Sequence, residues 1–181
     1  MRKLLIALLL TGAAAILAGC ARSTVVTKVT PMPLPEGTSL TGLYMTHQGM
    51  AMGPHYVLKT TDEGTWLKRS DRSPMENGIS YLDFADTVQD GEQAVLSRLA
   101  DASVIEVLET AIEQSGALGW DGFDETKSNP GVSDSGELYV LYLELSDGTT
   151  VTMRGYNVCP AGFDLLLSQV REIFDTHCVE D

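Results

Sequence analysis

Met45, His47, Met50, Met52 and His55 fall within one short stretch, "MTHQGMAMGPHY". Thioether sulfur and imidazole nitrogen are the donors that soft transition metals prefer, so these five side chains have the types needed for a Cu(I) site. The same stretch holds Gly49 and Gly53-Pro54, which would make it the turn of a β-hairpin. That reading places Met50 and Met52 near the loop tip and His55 across from His47. Methionine-rich metal motifs usually repeat, and this one occurs once. The turn is therefore the preferred reading, with copper binding as the alternative and no cofactor expected.

Nucleophilic chemistry would need a thiol or hydroxyl beside a base. The chain has three cysteines, Cys20, Cys159 and Cys178, and three histidines, His47, His55 and His177. It contains no G-x-S-x-G, no H-E-x-x-H and no P-loop. An envelope hydrolase thus stays a second alternative, behind a non-catalytic domain. A helix expected from about Gly162 to Thr176 would be roughly 22 Å long and keeps Cys159 and Cys178 apart, against the ~7 Å limit for disulfide Cα atoms. Two free thiols are expected. Asp121, Asp124, Glu125, Asp134 and Glu137 could offer oxygen ligands to calcium, but they lack the D-x-[DN]-x-[DN]-G spacing. Asp and Gly in loops ordinarily cap and turn.

The N-terminal segment speaks to location. Arg2 and Lys3 precede an almost wholly apolar run from Leu4 to Leu17, and Leu17-Ala18-Gly19-Cys20 follows. The run is shorter than the ~20 residues that cross a bilayer and ends in small residues, as a cleaved signal does. The tetrapeptide has the form of a lipobox, whose cysteine is diacylated and becomes the new N-terminus. Two acyl chains suffice for stable anchoring. The expected division is a lipoprotein signal peptide over 1–19, lipidated Cys20 with a Thr/Pro-rich tether over 20–38, and a single domain over 39–181.

The net charge is −13, and losing the two positive charges of Arg2 and Lys3 takes it to −15. So acidic a chain is expected to bind no nucleic acid, and its membrane partner is reached through the lipid on Cys20. In the tether, Pro31, Pro33 and Pro35 favour extended polyproline II and forbid a sheet ladder. At ~3.1 Å per residue it would hold the domain up to ~55 Å from the membrane.

The elements that would position these residues follow from periodicity. Leu40–Thr46, Pro54–Thr60, Thr65–Ser70 and Ile79–Val88 carry β-branched and aromatic residues between turn formers, as antiparallel strands do. Leu96, Leu99, Ala100, Val104, Val107, Leu108, Ala111 and Ile112 fall at helical intervals and predict a core-facing stripe. Ser103 and Glu106 fit a capping box, with the strongest helix from about Ala102 and Gly116 as its stop. Leu138–Leu145, Asp147-Gly148 and Thr149–Arg154 read as a hairpin with a type I′ turn. Pro160 introduces a last helix through Phe163, Leu167, Val170 and Phe174. The fold class is α+β, an antiparallel sheet of about six strands with two helices packed on it.

An ordered series runs through the second half: Trp120-Asp121-Gly122-Phe123, then Asp134 to Leu138, Asp147-Gly148, Gly155-Tyr156-Asn157, Pro160 and Phe163. It resembles a family of uncharacterised bacterial lipoproteins, common in Firmicutes and relatives. There a W-D-G-F motif follows a helix, and a strand hairpin leads to a G-x-N…P segment and a final helix. This chain departs from that pattern with Ser135 before Gly136 and with Cys159 where a bulkier apolar residue is usual. The likeness implies a fold and a location, extracytoplasmic on the cell membrane, and supplies no activity. Together these readings point to a lipid-anchored domain that binds or displays something at the cell envelope.

Overall fold

The computed structural model describes residues 28–49, 53–71, 82, 96–125 and 136–178. Six antiparallel strands form one sheet in the order β4-β3-β2-β1-β5-β6. They are β1 (Leu40–Gln48), β2 (His55–Thr61), β3 (Gly64–Ser70), β4 (Leu96–Leu99), β5 (Leu138–Leu145) and β6 (Thr150–Tyr156). Two helices, α1 (Ala102–Ser115) and α2 (Phe163–His177), pack against each other and against one face of the sheet. Among the described residues the fold is α+β, an antiparallel six-stranded sheet with two helices packed on it, as the periodicities imply.

Side chains alternate along each strand, and this sorts the apolar residues onto two faces. Leu43, Met45, Tyr56, Leu58, Leu67, Leu141, Leu143 and Met153 are sealed beneath the helices. From above come Val104, Leu108, Ala111 and Ile112 of α1 and Phe163, Leu166, Val170 and Phe174 of α2. Edge-on aromatic pairs, Tyr56–Phe174 and Tyr139–Phe163, both at 5.2 Å, join sheet to helix. Each such pair adds about 0.5–1.5 kcal/mol beyond its buried area. On the opposite face Tyr44, Val57 and Val140 make a smaller cluster with Leu82.

Three local details differ from the sequence reading. Leu96–Leu99 pairs with β3 as an edge strand, whereas the apolar spacing assigned it to the start of a helical stripe. Asp101 is the reason the helix starts later. Its carboxylate accepts from the Val104 N–H at 3.1 Å, so Asp101, and not Ser103, is the N-cap. Leu99 and Val107 are correspondingly 58% and 48% exposed rather than core. The β5–β6 turn is not type I′, which needs positive φ at both central residues. The Gly148 N–H donates to the Leu145 carbonyl at 2.9 Å, so Ser146 and Asp147 are central and only Gly148 is left-handed, at φ 85°. The Asp147 carboxylate draws the chain this way by accepting from the Thr149 N–H. The strand expected over Ile79–Val88 lies outside the described residues, apart from Leu82.

The tether is not free where it is described. From 28 to 38 it lies along the C-terminal half of α1. The Met32 N–H donates to the Glu113 carbonyl at 2.9 Å and the Leu34 N–H to the Glu113 carboxylate at 2.8 Å, while Leu34 packs against the core. The Leu40 N–H then donates to the Glu109 carboxylate at 2.8 Å. Proline alternation prevents a ladder but leaves the intervening N–H groups of Met32 and Leu34 needing acceptors, and the carbonyl and carboxylate of Glu113 supply them. A hydrogen bond to a charged acceptor is worth about 1.5–3 kcal/mol.

Candidate functional site

The described members of the Met/His stretch, Met45, His47 and His55, do not share one face. The register pairs Thr46 with His55 and Met45 with Tyr56, one position away from the expected pairing of His47 with His55. A one-residue shift changes the face of every side chain. Met45 and His47 accordingly lie on the helix-covered face, and His55 lies on the other with Tyr44 and Thr46. The sheet itself separates the two imidazoles. Met50 and Met52 lie outside the described residues. Among the described residues no group of three or more His, Cys, Asp or Glu is placed to hold a metal ion.

His55 is instead a buried structural group. It is fully covered, its Nδ1 is 2.8 Å from the Tyr44 hydroxyl and its Nε2 is 3.2 Å from the Gln48 amide nitrogen. Each ring nitrogen thus has a polar partner, and a neutral ring donates from one and accepts at the other. Burial lowers its pKa to about 4, against a smaller opposing pull from Asp71.

His47 sits where β1 ends and β5 begins. Its ring stacks on Tyr139 at 4.6 Å and its Nε2 lies 4.0 Å from the Glu137 carboxylate, which also accepts the Tyr139 hydroxyl. Cys159 belongs to the same neighbourhood, and burial with the charges of Asp164 and Glu137 pushes its thiol up to about 11. A nucleophilic cysteine needs the opposite environment. Cys178 is buried, with its thiol also pushed up to about 11 chiefly by burial, and it points at the Leu67 carbonyl at 3.7 Å. Both thiols are free. Denatured without reductant, the Cys20→Ala protein should titrate two thiols per chain; a count near zero would mean a bridge that this arrangement forbids.

The W-D-G-F residues build architecture. Trp120 closes the short 3-10 turn Ala117–Trp120 and is buried against Phe163 at 6.1 Å. The Asp121 carboxylate accepts the Thr152 N–H at 3.0 Å and the Gly122 N–H donates to the Thr152 carbonyl at 3.0 Å. The Phe123 carbonyl accepts from the Arg154 N–H, so the segment runs beside β6 as a short parallel bridge. It covers the open edge of that strand, which would otherwise invite pairing with another chain. Asn157, left-handed at φ 59°, donates its N–H to the Glu137 carbonyl and receives the Glu137 N–H on its side-chain oxygen. Pro160 leads into α2, where its carbonyl accepts the Phe163 N–H. The Asp121 carboxylate is thus engaged by the β6 backbone, and Asp134 lies outside the described residues.

An open cleft of about 510 Å³ lies elsewhere, at the β2–β3 turn beside β4. Thr61, Asp62, Glu63, Trp66, Lys68 and Ser97 line it, an aromatic face ringed by both signs of charge and by hydroxyls. Sequence reading saw only a D-E-G turn here. Nothing in a lone tryptophan on a short strand shows that β4 will stand beside it.

Comparison with family models, with curated proteins and with solved structures finds no significant match to this chain.

Proposed function

We propose that this is a lipid-anchored lipoprotein held outside the cytoplasm on the cell membrane, whose α+β domain is a non-catalytic binding or interaction module of the envelope. The observation that carries the reading is the ordered N-terminal pattern: Arg2-Lys3, the apolar run and Leu17-Ala18-Gly19-Cys20. The likeness of the W-D-G-F and G-x-N…P series to bacterial lipoproteins supports the same location.

The non-catalytic half draws support from the state of the reactive groups. Both described thiols are protonated at neutral pH, His55 is neutral with each ring nitrogen engaged, and His47 is stacked on Tyr139. The cleft around Trp66 is a described surface suited to a ligand, since one aromatic wall and several hydrogen-bonding groups converge there.

Replacing the acylated residue tests the anchor. In cells fed a labelled fatty acid, the full chain should carry label and fractionate with membranes. Cys20→Ala should carry none and should fail to be processed as a lipoprotein. Equal acyl labelling of the two forms would overturn the reading.

A further inference from the structure

We infer that the docked tether orients the domain on the bilayer, with the end formed by the α1 C-terminus, the 3-10 turn and the loop before α2 facing the membrane. The inference rests on the lipid-anchor reading and goes on to name the membrane-facing surface.

Its basis is where the described chain is held. Met32 and Leu34 are fixed by Glu113, and the Thr30 carbonyl lies against Gly116, the last-turn cap of α1. A Cβ at Gly116 would stand 2.4 Å from that oxygen, and the residue is left-handed at φ 72°. One glycine therefore ends the helix and lets the tether lie directly on its end. Lys28, Val29, Thr30 and Met32 share a groove there with Trp120 and Pro160. Lys28 is eight residues from Cys20. Even fully extended, that length reaches only about 29 Å. A domain on an unattached 20–38 spacer could turn any face to the bilayer. One held at Thr30 to Leu34 keeps the α1 C-terminal end within that reach of the anchor.

A second observation comes from the surface. Of the five large apolar side chains exposed among the described residues, Leu99 (58%) stands at the α1 N-terminal end and Val107 (48%) on α1, whereas Met32, Val158 and Leu165 are 41%, 48% and 42% exposed. These last three belong to the tether, to the loop before α2 and to the first turn of α2, whose Gly162 abuts the Ser115 carbonyl. These are apolar side chains suited to a lipid interface, and they sit on the elements that adjoin the tether's point of attachment. The opposite end of α1 is about 20 Å away. There the Ala100 N–H donates to the Thr65 carbonyl and Gly64 meets Leu99, which sets the β2–β3 turn beside the helix N-terminus. The Trp66 cleft thus faces away from the membrane, open to whatever the envelope brings.

Energy transfer measures this orientation on the full lipidated protein in phosphatidylcholine–phosphatidylglycerol vesicles carrying an acceptor on their headgroups. One donor is placed through an unnatural residue at Leu165, or in a second protein at Asp62. Transfer from position 165 should exceed that from position 62 by roughly twofold or more, given ends about 20 Å apart. A flexible Gly/Ser insertion of about 20 residues between Thr24 and Val25, which leaves the folded domain untouched, should remove most of the difference. Flotation of the same samples separates the two readings. Protein that does not float with vesicles overturns the anchor and this inference with it. Protein that floats but transfers equally from both positions, or more from 62, overturns the orientation alone. An asymmetry that survives the insertion intact overturns the tether as its cause.

Discussion

Trp120→Ala should lower the free energy of unfolding by about 3–5 kcal/mol, the cost of emptying a buried aromatic site. The ring is 8% exposed and packs on Phe163, itself fully buried between α2 and Tyr139 of the sheet. The surroundings are poorly able to collapse into the space. Trp120 lies on a single 3-10 turn whose carbonyl holds the Phe123 N–H, and the next three residues are bonded to β6. Domains of this kind have only about 5–15 kcal/mol of stability in total. The loss should therefore appear as a large drop in the urea midpoint, followed by circular dichroism. Trp120→Phe should recover a substantial part of it. An unchanged midpoint in Trp120→Ala would mean that the W-D-G-F turn is not part of the core.

Acid should destabilise the domain through His55. Its folded pKa is about 4, below the ordinary 6.5, so the native state resists a proton that the unfolded chain accepts. Above pH 6.5 both states are neutral there and the full stability is present. Between pH 6.5 and 4 the unfolded state alone is protonated, and stability falls as pH falls. Each pH unit across that window removes about 1.4 kcal/mol, so the loss levels off at roughly 3 kcal/mol below the folded pKa. Asp71 is the charged group that opposes the lowering. Carboxylates titrate in part of the same window, so the measurement is a comparison: unfolding free energies of the parent and of His55→Gln from pH 7.5 to 4. The parent should lose more than the variant, chiefly between pH 6.5 and 4. Parallel curves would show that His55 is not held neutral.

Local patterns made much of the fold legible. Leu138–Leu145 is apolar on both faces because β5 is an inner strand, with the helices over one face and Tyr44, Val57 and Leu82 beside Val140 on the other. The 4, 3, 4 spacing of Phe163, Leu167, Val170 and Phe174 found the buried stripe of α2 correctly. Gly116 was readable as a helix stop, since only a residue without a Cβ sits comfortably in a left-handed cap. Leu96–Leu99 was not readable, because two leucines three apart suit a helix and a short edge strand equally well. The β3 edge and the Asp101 cap made the choice.

The candidate sites divide along the same line. The hairpin reading of Gly49 and Gly53-Pro54 placed His55 across from His47, and the lipobox alone assigned Cys20 its proposed role, since a signal is read before folding. Whether two imidazoles share a face depends on register, and a slip of one residue is invisible in composition but reverses the face. The elevated thiol pKa values of Cys159 and Cys178 depend likewise on what buries them. The tether shows the contrast most plainly. Pro31, Pro33 and Pro35 determined that residues 28–38 join no ladder, because proline has no N–H to give. Only the tertiary structure brought Glu113 beside them, because its carboxylate lies 79 residues from Leu34 in sequence.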